Sequence, residues 1–153
     1  MKSLENKIPP PFVVVILIAA MWGASRFLPA IDVEPGLHLA LTIGTGLISM
    51  AFGLTGVVTF IRQRTTIDPV QIDRASHVVT GGIYRITRNP MYVGLTGLLT
   101  MWAVHLAAPW TLAGPIVFAL FTHYFQILPE ERVMEKRFGR EYLDYKQKVR
   151  RWL

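Results

Sequence analysis

The sequence predicts an all-α integral membrane protein with four transmembrane helices, a cytoplasmic connector and C-terminal amphipathic helices. Three observations carry this. Apolar residues make up 52% of the 153-residue chain and charged residues only 17%. Long charge-free runs alternate with short charge-dense ones, the layout of a chain dissolved in a bilayer. The basic residues are sorted as well: two precede the first run, five lie in the central connector and eight in the tail, against Arg26 alone on the other side. The positive-inside rule then puts both termini and the connector in the cytoplasm, and four crossings return the chain to its starting side. The length suits one domain, residues 1–153, and hence one site.

Lys2, Lys7 and Pro9-Pro10-Pro11 lead into a first span of about 12–28, with Arg26 snorkelling to the interface. A cleavable signal peptide is the competing reading, with Ala20 and Ala24 as small residues near a cleavage site. Pro29 to Gly36 is a short loop on the far side. The second span, 37–61, is 25 residues without a formal charge. That is about 37 Å of helix against a core of roughly 30 Å, so it tilts or emerges. Thr45, Ser49 and Gly53 recur every four residues and offer a flat face to another helix, in this chain or a second one.

The connector, 62–90, is abruptly polar, and connectors of that length are usually functional. The third and fourth spans, 91–108 and 111–128, are separated only by Pro109-Trp110 and form a helical hairpin. In the tail, 129–153, Val133, Phe138, Tyr142, Tyr145 and Val149 recur at helical spacing among many charges, with Gly139 as a break.

Several chemistries are excluded. Without cysteine there are no disulfides or thiolate metal sites, and no metal centre is predicted. P-loop and GxSxG motifs are absent. The net charge of +6 lies beside apolar runs, which fits membrane lipid headgroups and not nucleic acid. His105 and His123 fall about 6 and 21 Å from the hairpin turn, so they cannot be paired haem ligands.

The polar chemistry concentrates in Ser76 to Tyr92. Gly81 and Gly82 let the backbone approach a ligand, and Asn89-Pro90 forces an extended residue before a helix start. Backbone donors there, with Arg85 and Arg88, can seat a carboxylate or phosphate, and Tyr84 and Tyr92 can wall a flat ring. Lipid anchoring and an interfacial aromatic belt explain the same residues. Glu130 and Glu131, on the same membrane face, can close a polar pocket from the other side or complement a helix dipole.

VVTGGIYRITRNPMYVG, followed after two apolar runs by PEERVMEKRFGREYLDYKQKVRRWL, resembles the isoprenylcysteine carboxyl methyltransferase family and the related phospholipid methyltransferases. The likeness covers about residues 65–153 and rests on G-x-Y-x-x-x-R-N-P-x-Y, then E-E, then F-G-x-E-Y-x-x-Y, in that order. It implies an integral membrane enzyme, of a bacterial or archaeal inner membrane, that uses S-adenosyl-L-methionine without a Rossmann domain. By motif position, Ser76, His77, Val78, Val79, Tyr84, Arg88, Asn89, Pro90, Met91 and Glu131 would bind the cofactor.

Glu130 is the nearby candidate for a catalytic base. Gln126 stands about where family members acting on prenylcysteine carry a substrate-binding arginine, and Asn89 where they carry histidine. The expected reaction is methyl transfer to a lipidic or small acceptor, whether carboxylate, amine or thiol. The alternative is a non-catalytic assembly factor or small transporter subunit that keeps the fold.

Overall fold

A computed structural model of the protein describes residues 7–62 and 78–153. Among these the α-helices are α1 (Pro10–Ser25), α2 (Pro35–Arg62), α3 (Pro90–Leu106), α4 (Ala113–Thr122), α5 (Leu128–Phe138) and α6 (Arg140–Lys148). A π turn, His123–Ile127, joins α4 to α5, so Pro109–Phe138 is one continuous helical run and the helical bodies number five.

Local chemistry sets the ends. Pro10 opens α1 in its first turn, where a missing N–H costs nothing. At α2 the Glu34 carboxylate accepts from the N–H groups of Gly36 (2.8 Å) and Leu37 (2.6 Å), donors that a helix start otherwise leaves unpaired. α3 closes on Ala107 in the left-handed region, φ 49°. The loop between α1 and α2 and the first turn of α2 tie down that end: Ile31 N–H donates to Ala107 O (2.7 Å) and His38 Nε2 to Val104 O (2.9 Å). His105 stacks between Trp102 and His38, and His123 meets Tyr124 edge to face.

α3 is the centre of the bundle and packs against α1, α2 and α4. Val14, Met21, Leu99, Ala103 and Phe118 form the apolar core between α1, α3 and α4. Against α2 the packing is backbone to backbone: a Cβ on Gly94 would lie 2.7 Å from Gly53 Cα, and one on Gly97 would collide with Ser49. The small-residue face of the second apolar run is therefore used within the chain.

The sequence predicts four spans; among the described residues two helices are both long and apolar enough to cross a membrane, Pro35–Arg62 and Pro109–Phe138. α1 is apolar but shorter, and α3 has 17 residues, about 26 Å. The boundary drawn at Leu128 is not a helix end. Leu128 N–H bonds His123 O, five residues back, and this wide turn absorbs Pro129, which has no N–H to give. The break at Gly139 is present, with φ 52° between α5 and α6.

Candidate functional site

A second buried cluster lies where the connector meets the tail. Val78, Val79 and Tyr84 pack with Tyr142 and Tyr145, and Phe60 of α2, Met134 and Phe138 of α5 surround them. Tyr142 and Tyr145 sit three apart on one face of α6, the spacing that brings helical neighbours together. Tyr145 Oη donates to Tyr84 O (2.7 Å), and the Phe60 ring meets Tyr84 edge-on at 5.2 Å. Burial holds the Tyr84, Tyr142 and Tyr145 phenols above their ordinary range, so all three stay neutral.

The Arg88-Asn89-Pro90 turn is built by the last residues of the chain. Thr87 bridges to Arg150 in parallel register, and Arg88 N–H donates to Arg150 O (2.9 Å). Thr87 Oγ1 (3.1 Å) and Asn89 Nδ2 (2.9 Å) both donate to Arg151 O. Asn89, expected to be extended before a proline, instead takes φ −131° and ψ 53°, neither helical nor extended, and turns directly into α3.

On this frame sits a buried ion cluster. Arg88 Nη1 donates to Lys146 O and Val149 O, each at 3.0 Å, and Nη2 reaches Glu131 Oε1 at 2.7 Å. Arg151 grips the same carboxylate with two donors, Nε to Oε1 (2.9 Å) and Nη2 to Oε2 (2.8 Å). Lys146 adds a third cation at 3.3 Å and also pairs with Glu135. Burial alone would raise the Glu131 pKa, but the Arg151 hydrogen bonds and the Arg88 and Arg151 charges outweigh it and hold it at about 2. Glu131 is therefore an anion at any working pH.

Glu130, one residue earlier, is in a different state. Tyr92 Oη, from the first turn of α3, donates to its Oε1 at 2.5 Å. Burial pushes the Glu130 carboxyl up to about 7, with the Tyr92 hydrogen bond opposing the rise and the Glu131 charge adding to it. Two adjacent carboxylates thus hold opposite roles, one fixed as an anion and one poised to exchange a proton near neutrality.

The structure brings together Val78, Val79, Tyr84, Arg88, Asn89 and Glu131 of the predicted site, and places Glu130 against Tyr92. Ser76 and His77 lie outside the described residues. Pro90 and Met91 face α2, their Cγ atoms 3.2 and 3.0 Å from where a Gly56 Cβ would be. Gln126, fully buried in the π turn, donates through Nε2 to Ile8 O (3.0 Å), on the segment before α1.

Sequence reasoning missed Arg151, Lys146 and Thr87. Arg151 is one of eight tail cations and nothing local marks it, whereas the Tyr142–Tyr145 spacing was a usable signal.

Residues 39–141 match the phospholipid methyltransferase family. The chain belongs to that family, one of S-adenosylmethionine-dependent methyltransferases. An uncharacterized protein of Haemophilus influenzae is 46% identical over 63 residues, all of that protein and 41% of this chain. Protein-S-isoprenylcysteine O-methyltransferase B of Arabidopsis thaliana is 31% identical over 101 residues, 62% of this chain and 48% of its own length. A probable protein-S-isoprenylcysteine O-methyltransferase of Oryza sativa subsp. indica is 33% identical over 99 residues, 61% of this chain and 49% of its own. The chain thus spans about half the length of the plant relatives it matches. No solved structure matches it significantly. The family match runs from α2 into the start of α6 and stops short of Arg151.

Proposed function

We propose that the chain is a four-span membrane methyltransferase that moves a methyl group from S-adenosyl-L-methionine to a lipidic or small acceptor at the cytoplasmic face. Family membership supports the class of reaction. Supporting the membrane reading, apolar side chains face outward on three helices: Phe12 of α1 (68% exposed), Leu47 of α2 (63%) and Ile116 of α4 (60%). The basic connector and tail, packed on each other, support one cytoplasmic face for both.

The observation that carries the cofactor reading is a pair of buried donors with no partner among the described residues, Tyr84 Oη and Arg88 Nε. Buried donors are rarely left open, and two beside an apolar wall fit a ligand with an anionic end and a flat ring. Val78, Val79 and Tyr84 would take the ring, while Arg88, in the turn with Asn89, would take the anionic end, held by Glu131. When bound, the cofactor supplies a methyl group on a sulfonium, a good leaving group, so positioning and exclusion of water do much of the work. Glu130 can take the proton of an amine or thiol acceptor, and a carboxylate acceptor leaves it idle. Gln126 Oε1, buried and without a partner among the described residues, supports an acceptor-side role for it.

Binding of fluorescent S-adenosylmethionine to the purified, folded protein tests the reading, followed by transfer of its labelled methyl group into a native membrane extract. Absence of binding by folded protein rejects it. One observation favours the alternative of a non-catalytic membrane protein: Glu131 is already met by three cations, which a purely structural ion cluster also explains.

A further inference from the structure

Arg151 lies beyond the residues that match the family, yet it touches three residues of the site, Thr87, Asn89 and Glu131. Its carbonyl accepts from Thr87 and Asn89, the two residues that flank Arg88. Its guanidinium takes both oxygens of Glu131, in the forked geometry that lysine cannot copy. Glu131 Oε1 in turn receives Arg88 Nη2. One residue therefore holds the side chains on each side of Arg88 and the carboxylate in front of it.

The consequence falls on Arg88. Its side chain is 8% exposed, and both terminal nitrogens are engaged, by Glu131 and by the Lys146 and Val149 carbonyls. Only Nε, buried, has no partner. Arg88, Arg151 and Lys146 all converge on Glu131, and Lys146 also pairs with Glu135. A buried, charged donor left without a partner calls for an anionic oxygen.

We propose that Arg151 is a positioning residue for the methyl-donor site: it locks Glu131, and through it the Arg88 guanidinium, so that Nε is presented to the carboxylate end of the bound cofactor. This rests on the methyltransferase reading above. It adds that the last residues of the chain are a clasp on which recognition of the ligand's anionic end depends.

The experiment compares binding of S-adenosylmethionine with that of its decarboxylated analogue, which keeps the sulfonium and adenosine but lacks the anionic end. Wild type is expected to prefer the intact cofactor by about tenfold or more, one charge-assisted hydrogen bond. In Arg151→Ala that preference shrinks toward unity while the decarboxylated analogue binds as before. Arg151→Lys, which keeps the charge without the fork, restores only part of it, and it decides the question if the alanine variant does not fold.

Equal binding of the two ligands by wild type overturns the proposal, as does an Arg151 variant that folds and keeps the full preference. Folded wild type that binds neither ligand instead overturns the methyltransferase reading itself. A lost scaffold contact would weaken both ligands alike, so that result also counts against a positioning role.

Discussion

Arg88 and Glu131 meet at 2.7 Å across 43 residues of sequence, with both side chains under 10% exposed. The pair joins the start of α3 to the start of α5, and with Arg151 it ties the end of the chain to both. An ion pair this buried does not stabilise merely by existing, since desolvation opposes the attraction. Removing one partner strands the other, and that asymmetry sets the first expectation.

Arg88→Ala leaves Glu131 with Arg151 and Lys146, whereas Glu131→Ala leaves two arginines facing each other without their shared anion. The second should be the more damaging, with a cost of about 3–5 kcal/mol for the loss of a buried partner. Thermal unfolding in detergent, followed by circular dichroism, checks the order of the two variants.

The Glu131 carboxyl is held down from an unperturbed 4.5 to about 2. A depressed folded-state value means that its contribution to stability is complete above about 4.5 and is lost as pH falls toward 2. Unfolding midpoints measured from pH 7 to pH 3 should therefore drop below pH 4.5 in wild type, and the Glu131→Gln variant should show a shallower drop.

Glu130 behaves in the opposite sense, with a carboxyl raised to about 7. If the acceptor arrives protonated, the ionised form is the active base, so kcat/KM should rise with pH through about 7 and level off above it. Glu130→Gln should remove that limb and lower the rate by roughly a hundredfold or more. Tyr92→Phe should shift the limb, because its hydroxyl opposes the rise. A wild-type profile that is flat from pH 6 to 9, with an active Glu130→Gln variant, would identify a carboxylate acceptor.

Gly94 and Gly53 let α3 and α2 touch backbone to backbone. Gly94→Leu places atoms where Gly53 Cα and Ser49 O already are, and neither backbone can move aside cheaply. The expected loss is at least the 1–3 kcal/mol, roughly, of core overpacking. Gly23→Ala, where a Cβ meets nothing within 4 Å, is the control and should be nearly neutral.

Much of this was legible from the residues. The small-residue repeat Thr45-Ser49-Gly53 announced a close helix crossing, though not its partner, because periodicity names a face and not what covers it. Gly139 announced a break, since few other residues adopt its backbone angles. Glu130 and Glu131 announced a polar closure.

What could not be read was their division of labour, which depends on a tyrosine 38 residues away for one and an arginine 20 residues away for the other. Arg151 was hidden among like-charged neighbours, and Gln126 was assigned by position while its side-chain amide reaches back 118 residues to Ile8. Pro129 misled, because a proline in sequence marks a helix boundary unless a wider turn precedes it.

That wider turn sets the rotational phase of everything after it. One extra residue in a helix of 3.6 residues per turn swings the downstream faces by about 100°. His123–Ile127 therefore acts as a fixed angular offset between the apolar stretch of the long helix and its charged end. With the offset, Glu131 points at Arg88 while Phe118 points into the core. Without it, a helix of the same composition would turn Glu131 about 100° away from Arg88 while Phe118 stayed in the core.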